Sequence, residues 1–197
     1  VVCDVHDGLW GETDLHFSAD YDLNAVDVLF LCSAHGMSRK FWEENSMPQS
    51  LKVIDLAQDY RDESDGYVYG LPEVNRKRIA NAMRVANPGC FATAIQLALL
   101  PLAADGELKN EVHITAVTGS TGAGVKPSAT THFSWRNNNI SVYKAFEHQH
   151  LFEIGRTLCG LQPSFDKDLN FVPMRGDFAR GILASVYTET MLTIDEA

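Results

Sequence analysis

Val85-Ala86-Asn87-Pro88-Gly89-Cys90-Phe91-Ala92-Thr93-Ala94 is the stretch at which the chain changes character. Before it, short apolar runs alternate with helical segments. Val26–Leu31 (VDVLFL) reads as a buried strand running into Ser33-Ala34-His35-Gly36. Ser38 to Glu44 has helical character, and Lys52–Leu56 (KVIDL) repeats the buried-strand pattern. A turn-rich stretch from Asp59 to Pro72 and a helix from about Glu73 follow. Strand alternating with helix is the signature of a parallel α/β sheet.

After Asn87-Pro88-Gly89 the spacing becomes helical. Phe91, Ile95, Ala98, Leu99 and Leu102 share one face, so Cys90 stands at the first turn of an amphipathic helix that Pro101 bends or ends. Val112–Thr118 (VHITAVT) alternates as a strand does and runs into Gly119-Ser120-Thr121-Gly122-Ala123-Gly124. Strands are expected at Ile140–Phe146, Asn170–Met174 and Ile182–Met191, with a helix over Glu147–Leu161. The fold class is therefore α/β plus α+β. α/β remnants are expected over 1–89, and a mixed α+β unit over 90–197, with the boundary near Cys90.

Cys90 carries the clearest chemical signal. The Pro-Gly turn delivers it to a helix start, where unpaired N–H groups and a partial positive charge favour a nucleophilic sulfur. The bland alternative is a buried cysteine at a helix cap. Glu147-His148-Gln149-His150 with Glu153 forms a second cluster. On a helix His150 and Glu153 can meet, and a carboxylate on one imidazole nitrogen frees the other for proton transfer. Zinc ligation competes with this reading but lacks a HExxH or CxxC companion. Surface histidines at a helix start are the plain alternative. The GSTGAG loop follows a strand as phosphate-cradling loops do, yet it is not GxGxxG, and such turns often serve geometry alone. Arg61 follows a strand, and its forked guanidinium suits phosphate; alone it reads as a surface arginine.

Bulk properties narrow the class. The chain has 197 residues with 45% hydrophobic and 21% charged, enough for a sizeable core. Acidic residues exceed basic ones by 26 − 16 = 10, which argues against a nucleic-acid partner. No apolar run reaches the roughly 18–20 residues of a membrane helix, and VVCDVHDGLW is not a signal peptide. Cys3, Cys32, Cys90 and Cys159 are too scattered for a disulfide framework or a zinc site, so no metal is expected and reduced, cytoplasmic thiols are.

Together these stretches resemble the N-acetyl-γ-glutamyl-phosphate reductases, relatives of the aspartate-semialdehyde dehydrogenases. The resemblance rests on Val85–Ala94 with Pro101, Gly70-Leu71-Pro72-Glu73-Val74-Asn75, GSTGAG with Lys126, and His148-Gln149-His150…Glu153-Ile154, and it runs to about Thr190. Phe152 departs from the proline common in relatives. The family reaction reduces N-acetyl-γ-glutamyl phosphate to the semialdehyde with NADPH, in arginine biosynthesis. By this resemblance Cys90 attacks the acyl phosphate, and His150 is the acid/base, oriented by Glu153 with His148 beside it. Arg61, Asn87, Lys126 and Arg175 would meet the substrate. Ser33, His35, Gly119, Ser120, Gly122 and Gly124 would face NADP. The resemblance also implies a partial NADP-binding unit of Rossmann type over 1–89, a catalytic and dimerisation unit over 90–197, and a homodimer or homotetramer.

Aspartyl or aminoadipyl phosphate are alternative substrates, and a non-catalytic dimerisation fragment keeping the active cysteine is the reading from another class. Relatives open with a Gly-rich dinucleotide loop, and nothing in Val1–Asp20 resembles it. They also continue past the strand near Ile182. The chain thus has the look of a fragment or an incompletely resolved protein, expected to be inactive alone.

Overall fold

Parallel strands need crossovers, and the helices expected from the sequence supply them in the computed structural model, which describes every residue except Val125 and Ala197. The first sheet is built from β1 (Val28–Leu31), β2 (Lys52–Asp55), β3 (Val68–Tyr69) and β4 (Arg84–Ala86), all parallel, in the order β1-β2-β4-β3. Helix α1 (Met37–Glu44) follows β1, and α2 (Pro72–Ala80) joins β3 to β4. Two expectations change here. β1 starts at Val28, and it is not buried on both faces: Val28 and Phe30 are 44% and 61% exposed, because β1 is an edge strand with one face open. The turn-rich stretch before Pro72 also contains β3, whose two residues are too few to show a period.

Helix α3 (Cys90–Ala104) carries the chain into the second sheet. That sheet comprises β5 (Val112–Thr118), β6 (Ser141–Val142), β7 (Leu169–Arg175) and β8 (Ile182–Tyr187), in the order β6-β7-β5-β8. β5 and β7 are parallel over all seven pairs from Val112↔Leu169 to Thr118↔Arg175, while β6 and β8 run antiparallel at the edges. Helices α4 (Phe133–Arg136) and α5 (His150–Leu161) fall between β5 and β7. The strand expected over Ile140–Phe146 stops at Val142, because Lys144 (φ 44°) and Phe146 (φ 62°) take left-handed backbone that no strand accommodates. Likewise α5 begins at His150 rather than at Glu147.

The main core lies between this sheet and the helices α3 and α5. Period-two burial in β5 turns Val112, Ile114 and Ala116 inward, where they meet Phe91, Ile95 and Leu99 of α3 and Ile154 and Leu158 of α5. Phe171 at 0% exposure stands in this layer, edge-on to Phe91 at 5.2 Å between ring centroids. Pro101 sits inside α3 near its end, and the helix runs on to Ala104. No described helix is long and apolar enough to cross a membrane.

Truncating the central ring tests this packing. Phe171→Ala should lower unfolding free energy by about 3–5 kcal/mol, measured by urea denaturation, because lost transfer energy adds to an unfilled cavity.

Candidate active site

The parallel strands of the first sheet deliver His35, Leu56 and Asn87 to one edge, just past their carboxyl ends. β5 and β7 deliver Thr118 and Arg175, and the starts of α3 and α5 deliver Cys90 and His150. These residues line one cavity of about 740 Å³, within the range of small-molecule sites and in the usual place for α/β ligands. Cys90 is the first residue of α3 and is exposed. Gly89 before it can carry no side chain, since a Cβ there would run into His150 Nε2 and lie 2.6 Å from Glu153 Oε1.

The turn before Cys90 is gripped from both ends. Glu153 Oε2 accepts the Gly89 N–H at 3.0 Å, and the Asn87 carbonyl accepts Arg61 Nε–H at 2.8 Å. Arg61 also donates to Glu153 Oε1 (3.0 Å) and to the Leu56 carbonyl (3.3 Å). Two corrections follow. Arg61 is buried and commits three of its donors to the protein, so its first task is joining the first sheet to α5 rather than holding phosphate, although its edge still lines the cavity. Glu153 does not orient His150: its carboxylate stands 3.9 Å from His150 Nε2, and its oxygens are taken by Arg61, Gly89 and the Tyr69 hydroxyl (2.6 Å).

His148 and His150 are both buried with ring centroids 4.5 Å apart, and both line the cavity. The His150 backbone N–H donates to His148 Nδ1 at 3.2 Å, which leaves the His148 proton on Nε2. His150 Nδ1 has no partner among the described residues. Burial pushes both imidazoles down to about 4, helped by His150 and Lys144 around His148, and by Arg61, His35 and Lys144 around His150. Near neutral pH both are uncharged and able to accept a proton.

Of the remaining residues singled out by sequence, Asn87, Arg175, His35 and Gly122 line the cavity. Arg175 lies over the Tyr143 ring at 4.7 Å. Lys126 does not reach the cavity; it is exposed in the loop beyond Gly124. Ser33 turns away, its hydroxyl sharing a 2.8 Å hydrogen bond with Ser38 Oγ. The GSTGAG loop is no phosphate cradle. The N–H groups of Gly119, Ser120 and Thr121 donate to the carbonyls of Gly181, Phe178 and Ala179, and those of Gly122 and Gly124 close turns within the loop. Gly119, Ser120 and Gly124 therefore support the loop, and only Gly122 and Ala123 face the cavity. Sequence reasoning passed over Tyr143, Lys144 and Tyr69. Tyr143-Lys144 lies just before the histidine cluster, and Tyr69 just before Gly70-Leu71-Pro72-Glu73, which are the signals that could have drawn attention to them.

Comparison with known proteins gives a consistent picture. A semialdehyde dehydrogenase NAD binding domain model matches residues 2–82, and a semialdehyde dehydrogenase dimerisation domain model matches residues 90–197. A Bacteroides thetaiotaomicron protein named N-acetyl-gamma-glutamyl-phosphate reductase is 57% identical, covering 99% of this chain and 61% of its own length. A protein of the same name from Azobacteroides pseudotrichonymphae is 60% identical, covering 100% of this chain and 61% of its own. The chain thus spans about three fifths of these relatives. In fold it is similar to aspartate semialdehyde dehydrogenase II of Vibrio cholerae (TM-score 0.65, 18% identity, covering 89% of this chain and 59% of that one). It is also similar to the Candida albicans aspartate semialdehyde dehydrogenase solved with NADP (TM-score 0.62, 15% identity, 88% and 53% covered).

The depressed imidazoles carry a pH signature. Unfolded histidine titrates near 6.5 and these two near 4 when folded, so between those values the unfolded chain binds more protons. Their contribution to stability should be complete above pH 6.5 and fall as pH drops toward 4, by about 1.4 kcal/mol per pH unit for each imidazole. Urea titrations across this window check it. An equal slope in the His148→Gln/His150→Gln double variant would assign the effect elsewhere.

Proposed function

This chain belongs to the semialdehyde dehydrogenase family, and we propose that it forms the catalytic part of an N-acetyl-γ-glutamyl-phosphate reductase, with Cys90 as nucleophile. One observation carries the reading: Cys90, two uncharged imidazoles, Lys144 and Arg175 share a single cavity. The Cys90 sulfur gives its proton to His150 and attacks the acyl carbon, and phosphate leaves with the bonding electron pair, so that a thioester remains. The buried His150 ring, held uncharged, suits the base role, with His148 beside it. Arg175 and Lys144 are cations for the two anionic ends of the substrate, and the Asn87 side chain stands beside the nucleophile's turn. Arg61 contributes the donors that Leu56, Asn87 and Glu153 leave it. Lys126 has no place in this scheme.

NADP is the cofactor this reading implies. When bound, it supplies the hydride that converts the thioester to aldehyde and frees Cys90. The residues present fit its nicotinamide end, at the rim formed by His35, Leu56 and Gly122. They do not offer the phosphates a helix start after β1, where the Gly36 and Ser38 N–H groups are both taken by the Asp59 carboxylate, at 2.7 and 3.0 Å. A protein of this chain alone should therefore bind NADPH only weakly. Calorimetric titration giving micromolar affinity would contradict that.

The division into a cofactor unit over 1–89 and a catalytic unit over 90–197 belongs to the same proposal. So does a homodimer. The outward face of the second sheet shows Val117, Val172, Met174, Leu183 and Tyr187, with Leu183 73% exposed, an apolar surface suited to a second copy. A cytoplasmic biosynthetic role accords with this reading.

The decisive experiment needs no cofactor. Mixing the chain with N-acetyl-γ-glutamyl phosphate should release about one equivalent of phosphate, since each Cys90 turns over once, and leave the acyl group on Cys90 by mass spectrometry. Cys90→Ser should abolish both. Faster acylation by β-aspartyl or aminoadipyl phosphate would move the assignment to that substrate, and no acylation by any would end the reading.

A further inference from the structure

The hydrogen bonds behind Cys90 form a directed chain that begins on a residue outside the cavity. Tyr69 ends β3, is 4% exposed and is not among the residues lining the Cys90 cavity. Its hydroxyl is met by Gln96 Nε2–H at 2.8 Å and lies 2.6 Å from Glu153 Oε2. The same Gln96 amide donates to the Ala92 carbonyl at 2.9 Å. A carbonyl can only accept, which fixes the Gln96 amide with its nitrogen toward Tyr69. The Tyr69 oxygen is then an acceptor from Gln96, and its one proton must go to Glu153. Burial and the neighbouring Glu153 push the phenol up from its ordinary range, so that proton stays in place. Glu153 passes the constraint on, since the oxygen that takes the Tyr69 proton also takes the Gly89 N–H.

We propose that Tyr69 is a positioning residue for the nucleophile: through Glu153 it fixes the Gly89 N–H, and with it the turn that presents Cys90. The inference rests on Cys90 being the nucleophile, and its first test does not depend on the reductase reading. Gln96 belongs to α3, Tyr69 to the first sheet and Glu153 to α5, so the chain ties three elements to one backbone N–H. Arg61 grips the other end of the turn at the Asn87 carbonyl. With both ends held, the turn that leads into α3 and carries Cys90 is fixed at Asn87 and at Gly89. A phenyl ring in place of Tyr69 keeps the packing and removes only the hydroxyl. Glu153 Oε2 then accepts from Gly89 alone, and the turn gains freedom.

The test is iodoacetamide labelling of the folded chain, followed at each cysteine by mass spectrometry, with the exposed Cys32 and Cys159 as internal controls. Tyr69→Phe should slow labelling of Cys90 at least about threefold, the loss of one charge-assisted hydrogen bond being worth tenfold or more when fully felt. The controls should keep their rates. With the acyl phosphate, the maximal acylation rate should fall by a similar factor at unchanged half-saturation, since Lys144 and Arg175 are untouched. Cys90 labelling slowed less than threefold, or accelerated, overturns the proposal, as does a rise in half-saturation with an unchanged maximal rate. Should Tyr69→Phe lose its folded circular dichroism spectrum, Glu153→Gln is measured in its place, with the same expected and overturning results. Loss of folding in both variants overturns the proposal too, because the network would then hold the fold and not the thiol. If acylation fails in the parent chain while labelling responds as expected, the reductase reading falls and the positioning role stands.

Discussion

Glu153 accepts from Arg61, from Gly89 and from Tyr69, and on those three hydrogen bonds depends the seam between α5, the first sheet and the start of α3. Burying a carboxylate at 4% exposure is costly, and the cost is offset only when its lone pairs are answered in good geometry. Here a guanidinium, a backbone amide and a phenol do so from three directions. Arg61 is itself tied to the carbonyls at the ends of β2 and β4, at Leu56 and Asn87. The pair is therefore a joint with many legs rather than a single bridge. Such buried pairs contribute little net stability against an apolar replacement, and their value lies in specifying one arrangement. The arrangement specified is the turn that ends in Cys90, where Gly89 is so closely packed that even a methyl group is excluded.

That joint also shapes the electrostatics of the cavity. Burial, with Lys144 beside both rings and Arg61 beside His150, keeps both imidazoles uncharged and outweighs the Glu153 carboxylate, which favours the charged form of His148. The charge available to a ligand comes from Lys144 and Arg175, neither of which is paired with a carboxylate among the described residues. Lys144 takes its place through a left-handed backbone turn, φ 44°, an arrangement that costs energy for a residue with a Cβ and is found where function demands it. An anionic ligand entering here meets two cations and two uncharged imidazoles.

The sequence disclosed the parts with long periods and hid those made by distant contacts. α3, β5 and β7 repeat their apolar positions over seven or more residues, so their type and nearly their bounds could be read. β3 and β4 have two and three residues and show no period; they are strands because β4 pairs with β2 on one side and with β3 on the other. Ile140–Phe146 alternates like a strand, but Lys144 and Phe146 adopt a backbone that neither residue type announces. At the site, Cys90 and the two histidines were legible from local pattern. The partner of Glu153 was not, because helical spacing favoured the near neighbour His150, whereas its partners come from Arg61, Tyr69 and Gly89. The GSTGAG loop misled for a similar reason. Its glycines match a phosphate loop, but the carbonyls of Phe178, Ala179 and Gly181, far along the chain, take its N–H groups.

Arg61 and Glu153 are separated by 92 residues, and Tyr69 and Glu153 by 84. Closing loops of that length is entropically expensive, as is pairing β5 with β7, whose partners are also far apart in sequence. During synthesis, therefore, the segment through α3 leaves the ribosome long before the residues that fix its first turn. Until then the turn before Cys90 lacks the Glu153 carboxylate that accepts the Gly89 N–H. The cavity around Cys90 is complete only when the chain has been made through β7 and has folded back on itself. The length of the loop thus sets an order of assembly: the cysteine is made early, and its surroundings are completed late.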